Sequence, residues 1–97
     1  MSNATVTATT FDTAAAAEHL KGFLVDALFI DMDPKDIGDE MLLGTEVGVD
    51  SLGFAELMAH IEDEYNVSIS DGEFVPDNFS TVARIVELVA AKITASS

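Results

Sequence analysis

Ninety-seven residues make one domain, and with 48% apolar types that domain can build a real core. Eighteen acidic residues against four basic ones (Lys21, Lys35, Arg84, Lys92) give a net charge of −14, which excludes nucleic-acid binding through a basic patch and docking on anionic membranes. With no cysteine there is no disulfide framework, zinc knuckle or redox thiol, in keeping with a cytoplasmic protein that meets basic surfaces on its partners.

Residues 1–11 are small, polar and Thr-rich, so a disordered N-terminal tail is expected there and a folded unit over 12–95. The opening lacks the basic and apolar segments of an export signal, and no run of apolar residues is long enough to span a bilayer. Asp12 or Thr13 can cap a first helix whose stripe is Leu20, Phe23, Leu24, Ala27 and Leu28, with Phe29 and Ile30 widening the apolar side near its end. Pro34 disfavours helical backbone at Asp33 and closes that option.

Residues 31–49 read as a long acidic loop punctuated by Pro34, Gly38, Gly44 and Gly48. Its Ile37, Met41, Leu42, Leu43 and Val47 are too apolar for a free loop, so some should pin it across the helices, and ordered loops of this length tend to carry function. A second helix starts at Asp50 or Ser51, with Phe54, Leu57, Met58, Ile61 and Tyr65 on one face and Glu56, His60, Asp63 and Glu64 on the other. Asn66 stops it, and Val67 and Ile69 cross in extended form. Ser70 and Glu73 form a capping-box pattern for a very short third helix over 71–75, stopped by Pro76. The last helix starts near Ser80 or Thr81 and buries Val82, Ile85, Val86, Val89 and Ile93. No alternating run suggests a sheet. The fold class is all-α, three principal helices and one minor helix with a long first connection.

Catalytic arrangements fail on spacing. A nucleophile elbow around Ser51 has Gly53 but Val49 where the other glycine belongs, and no strand feeds the turn. His60 lies nine residues beyond Ser51 on the same helix, roughly 13 Å along the axis and out of reach as its base. His60 and His19 read as solvated surface residues. Counted as calcium loops, the segments from Asp31 and from Asp33 both put wrong residues at ligand positions. No catalytic residue and no metal-ligand set is therefore expected, the acidic loop reading as a solvated one with weak divalent binding by charge alone as the alternative.

What remains is Gly48-Val49-Asp50-Ser51-Leu52-Gly53, which sets a serine hydroxyl at the exposed start of a helix. Backbone N–H groups there lack intrahelical partners and the dipole's positive end points outward, a natural place for a phosphate. Nothing nearby activates the serine, so any activation comes from another protein. Val49-Asp50-Ser51-Leu52, with Glu56-Leu57, Ile61-Glu62-Asp63-Glu64-Tyr65 and Ile69-Ser70-Asp71 after it, resembles the acyl carrier protein family, peptidyl carriers included. The resemblance covers nearly the whole folded part and implies a four-helix bundle with a short third helix and a long first loop.

It also implies that the chain is not an enzyme. Ser51, flanked by Asp50 and Leu52, would bear 4′-phosphopantetheine through a phosphodiester, installed from coenzyme A by a phosphopantetheinyl transferase. The partners implied are that transferase, a loading enzyme (acyltransferase or adenylating enzyme) and ketosynthase or condensation partners, with the carrier a monomer. Glu56, Met58, Glu62, Asp63 and Glu64 would meet partner enzymes through weak, salt-sensitive contacts. Phe54, Leu57, Ile61 and Ile69 are candidates to line an acyl cleft. Fatty-acid carriers usually have an acidic residue where Gly53 stands, and the stretch from Val75 to Val82 looks more like discrete carriers of specialised pathways. The expected role is thus a freestanding carrier of acyl or aminoacyl thioesters in polyketide or nonribosomal peptide biosynthesis. The alternatives are a fatty-acid-synthesis carrier and, in a different class, an acidic helical adaptor that binds basic partners without a prosthetic group.

Overall fold

A computed structural model describes residues 11–96; of the expected tail, only Phe11 falls inside that range. Phe11 meets Tyr65 edge-on, with ring centroids 5.7 Å apart. Four α-helices follow: α1 (Thr13–Asp26), α2 (Ser51–Tyr65), α3 (Pro76–Phe79) and α4 (Val82–Ser96). The described residues contain no strand, and none of their helices is long and apolar enough to cross a membrane.

Asp12 caps α1, its carboxylate accepting the Ala15 N–H at 3.0 Å. The helix buries Ala16, Leu20 and Leu24 and packs along α4. It ends at Asp26, short of the Ile30 expected from the apolar pattern. Phe29 takes a left-handed backbone with φ 59° and is 85% exposed. The Ile30 N–H then reaches back to the Leu24 carbonyl at 3.2 Å. A left-handed residue just past a helix normally closes its C-terminus, a role glycine usually fills. Here the turn is made by a phenylalanine, which is why the apolar run outlasts the helix.

The long connection is pinned, as its composition demands. Ile37 and Leu43 are fully buried, and Val47 and Val49 nearly so. Leu43 donates its N–H to the Ser80 carbonyl at 2.8 Å, and the Asp39 carbonyl accepts the Ala83 N–H at 3.0 Å. The buried Lys21 of α1 reaches Asp39 at 2.7 Å. Two helical turns break the loop: a 3₁₀ turn at Pro34–Asp36 and a wider turn at Leu43–Val47. Gly48, at φ 100°, closes the second turn in a conformation that side chains resist.

The short helix departs from expectation. The Ser70–Glu73 capping contact forms, with the Glu73 carboxylate accepting the Ser70 N–H at 3.0 Å, but the helix runs over Pro76–Phe79. Pro76 starts it rather than stopping it. Proline suits the first helical position, where its missing N–H has no intrahelical acceptor, and it forces the preceding residue out of helical space. Val75, at φ −129° and ψ 158°, shows that constraint. Thr81 caps α4 by accepting the Arg84 N–H at 3.1 Å. Leu20, Leu24, Ile37, Leu43, Leu57, Ile61, Val82, Ile85 and Val89 form the centre of the core, each essentially without exposed surface. Truncating one of the larger of them to alanine should cost about 2–5 kcal/mol.

Candidate functional site

The segment before α2 is held from beneath and leaves its polar groups above. Val47 and Val49 are buried on either side of Gly48. Asp50 is the N-cap, with its carboxylate accepting the Gly53 N–H at 2.8 Å. Ser51 is then the first helical residue and is exposed, with Leu52 beside it 68% exposed. The cap takes up Gly53, one of the first-turn N–H groups without an intrahelical acceptor. The remaining positive end of α2 faces the surface on which Ser51 sits.

Gly53 is buried and closely packed against the first connection. A Cβ there would lie 3.0 Å from Val49 Cγ1, 3.2 Å from the Asp50 carboxylate oxygen and 3.5 Å from Leu28 Cδ1. An acidic residue here would press on the cap and on Val49, so the departure at this position goes with the close packing of α2 on the first connection.

Ser51 opens onto an apolar cavity of about 410 Å³ between the first connection and α3. Its walls are Leu42, Gly44, Thr45, Phe54, Phe74, Val75, Pro76, Phe79 and Ser80. Phe74 and Phe79 meet edge to face, centroids 4.9 Å apart, and stiffen the far wall. Of the four residues expected to line a cleft, Phe54 does so. Leu57, Ile61 and Ile69 do not; they are buried in the core among the helices. Leu42, Phe74 and Phe79 carry no helical-stripe signal, since Leu42 and Phe74 lie in connections and Phe79 ends a helix of one turn. Their signal was that these segments on both sides of the serine are apolar.

The acidic face of α2 divides in two. Glu56, Asp63 and Glu64 are exposed, and Met58 is half-buried. Glu62 is half-buried, and its carboxylate accepts the Ile69 N–H at 2.7 Å, tethering the connection after α2. His60 is half-buried rather than solvated, with its ring flat on Phe23 at 4.1 Å and against His19. Burial, then the neighbouring His19, lowers its pKa from the ordinary histidine value, against the opposing pull of Glu64 and Asp63. Tyr65 is raised, by burial and then by Glu64.

Chemically the site offers a presented hydroxyl, and among the described residues neither the adjacent carboxylate nor a histidine is placed to activate it. The adjacent carboxylate is engaged as a cap. His60 is nine residues further along α2, roughly 13 Å away.

Comparison with known proteins places the chain. The phosphopantetheine attachment site family matches residues 25–89. D-alanyl carrier proteins of Streptococcus pyogenes serotype M5 (strain Manfredo), serotype M49 (strain NZ131) and serotype M1 are each 38% identical over 64 residues, covering 66% of this chain and 78% of theirs. The chain belongs to the phosphopantetheine attachment family of acyl and peptidyl carriers; it is a carrier rather than an enzyme, and its prosthetic group is covalently held 4′-phosphopantetheine.

Proposed function

We propose that Ser51 is the residue of this carrier that bears 4′-phosphopantetheine, and that the chain is a freestanding carrier of small acyl or aminoacyl groups in polyketide or nonribosomal peptide biosynthesis. The observation that carries the first part is the exposed Ser51 hydroxyl at the N-terminus of α2, at the mouth of an apolar cavity. The residues fit the group. Ser51 is exposed among the described residues, the dipole of α2 favours a phosphodiester there, and the Leu42–Phe54–Phe79 wall can receive the apolar part of an arm or its cargo. When bound, the group supplies a terminal thiol that holds the cargo as a thioester.

The chain's own residues do the rest. Asp50 fixes the first turn of α2 and so the direction of the Ser51 side chain. Leu52 offers apolar surface beside it, and Glu56, Asp63 and Glu64 line the same helix with negative charge. Basic surfaces on a phosphopantetheinyl transferase and a loading enzyme can read that helix quickly and release it, because exposed charges act at a distance and are screened by salt. Glu62 is left out of this docking role, since its carboxylate is used internally. The D-alanyl carriers among the relatives favour an aminoacyl cargo supplied by an adenylating enzyme.

Incubation with coenzyme A, magnesium and a promiscuous phosphopantetheinyl transferase, followed by intact-mass measurement, tests the attachment. One phosphopantetheine should be gained, and Ser51→Ala should abolish the gain. An unmodified wild type beside a modified control carrier, or a modified Ser51→Ala, would overturn the reading. Presenting the modified carrier to adenylating enzymes and acyltransferases then separates aminoacyl from acyl cargo.

A further inference from the structure

The carrier role leaves one cluster of chemically capable side chains unused. His19 on α1 and His60 on α2 face each other with their Nε2 atoms 2.7 Å apart and their rings stacked at 4.9 Å. At that separation only one of the two nitrogens can carry a proton, and the other presents a lone pair. Glu64 lies one helical turn beyond His60, on the same face of α2. Its carboxylate and the two imidazoles each offer a ligand atom, all within 4.8 Å of one another. Among the described residues, no other set of three such side chains converges in this way, although the chain is rich in acids.

We propose that His19, His60 and Glu64 form a binding site for a first-row transition metal ion of the zinc class, joining α1 to α2. Two imidazoles and a carboxylate are the donor set that zinc accepts in four-coordinate sites with one position left for water. Magnesium and calcium prefer oxygen-only shells and gain nothing from the imidazoles. Bonds of about 2.0–2.1 Å in tetrahedral geometry hold two ligand nitrogens roughly 3.3 Å apart. The two nitrogens must therefore part by about half an ångström, the proton between them must pass to Nδ1 of the ring that holds it or to solvent, and the rings must turn so that both Nε2 lone pairs face the ion. His60 is anchored on Phe23, so the movement falls to His19, which is exposed and can swing outward. Glu64 is likewise exposed and can turn in. Asp63 beside it and the net charge of −14 raise the local cation concentration. The ion would bridge residues from two helices and bind the folded chain only, so it should stabilise the fold by mass action.

The site stands apart from Ser51, so its test is independent of the attachment reading. The unmodified protein is titrated with zinc chloride and, separately, with magnesium chloride at matched ionic strength and neutral pH. Calorimetry and thermal melts are recorded, and cobalt(II) serves as a spectroscopic stand-in. One zinc per chain, a melting temperature raised by zinc well beyond magnesium, and visible cobalt bands of low-coordinate type are expected. His19→Gln and Glu64→Gln should each weaken zinc binding roughly tenfold or more, with far-UV helicity unchanged, while Ser51→Ala binds as wild type. Zinc that shifts the melt no more than magnesium, or His19→Gln that binds zinc as tightly as wild type, would overturn the site. Should His60→Gln unfold through its lost contact with Phe23, the two exposed ligands still decide the matter.

Discussion

Two glycines in helices invite the same substitution and should answer with opposite signs. Gly22 lies inside α1, and an added Cβ would meet nothing within 4 Å. Gly22→Ala should therefore gain the full helix-propensity difference, about 1 kcal/mol. Gly53 lies in the first turn of α2, where a Cβ would sit 3.0 Å from Val49 Cγ1 and 3.2 Å from the Asp50 carboxylate. Gly53→Ala gains the same propensity but forces the buried Val49 or the cap to move. Overpacking costs about 1–3 kcal/mol and a disturbed cap about 1 kcal/mol; set against the propensity gained, the net is a destabilisation of up to about 2 kcal/mol. For a domain of this size each kcal/mol moves the melting temperature by about 4–8 °C. Calorimetric melts of the two variants and wild type should rank Gly22→Ala highest and Gly53→Ala lowest. A Gly53→Ala protein as stable as Gly22→Ala would refute the close approach of α2 to the first connection. Modification assays on the same samples would show whether displacing the cap also slows attachment at Ser51.

Two other perturbations follow from local geometry. The Lys92 ammonium, 2.7 Å from the Glu73 carboxylate, and the Ser70 N–H hold Glu73 at a pKa of about 2, well below the usual carboxylate value. A depressed folded-state pKa contributes stability above the ordinary carboxylate range and loses it as pH falls towards the folded value. Wild type should thus outlast Glu73→Gln at pH 7, with the gap in melting temperature closing between about pH 4.5 and pH 2; a gap unchanged across that window would refute the assignment. Phe29, left-handed and 85% exposed, carries backbone strain without core contacts to offset it, so Phe29→Gly should raise stability by about 1 kcal/mol in a denaturant melt, and a clear loss would show that the aromatic ring contributes to the fold.

The sequence declared the three long helices because each carries an apolar stripe at helical spacing that tertiary packing rewards, as Leu57 and Ile61 in α2 and Ile85 and Val89 in α4 show by their full burial. The start of α2 was legible to within one residue, since Asp50 and Ser51 are both residue types that cap helices. Helix ends that depend on a single unusual residue were not legible. Propensity gives no reason for Phe29 to adopt a left-handed turn, and Pro76 carries the same letters whether it stops one helix or starts another. The cleft escaped for a related reason. Apart from Phe54, its walls come from loops, turns and the single turn of α3, where periodicity says little, whereas Leu57, Ile61 and Ile69 are consumed by the core. Likewise no pattern in one dimension could pair His19 with His60, which are brought together by the packing of α1 on α2.

The distribution of cations gives the net charge its use. Lys21 is spent on Asp39, holding the first connection to α1, and Lys92 on Glu73, holding the turn before α3. Arg84 lies near Glu87 on α4. These three serve the loops and the last helix, Lys35 lies in the first connection, and α2 contains no lysine or arginine. Among the described residues, no lysine or arginine pairs with Glu56, Asp63 or Glu64 on the helix that begins at Ser51. Self-repulsion along that face costs stability in the isolated chain. The same repulsion is relieved whenever a basic surface arrives, so the folded protein holds in reserve part of the free energy with which a partner would be received. A carrier that must meet several enzymes in turn benefits from such a contact, because it forms fast, depends little on exact shape and yields to salt.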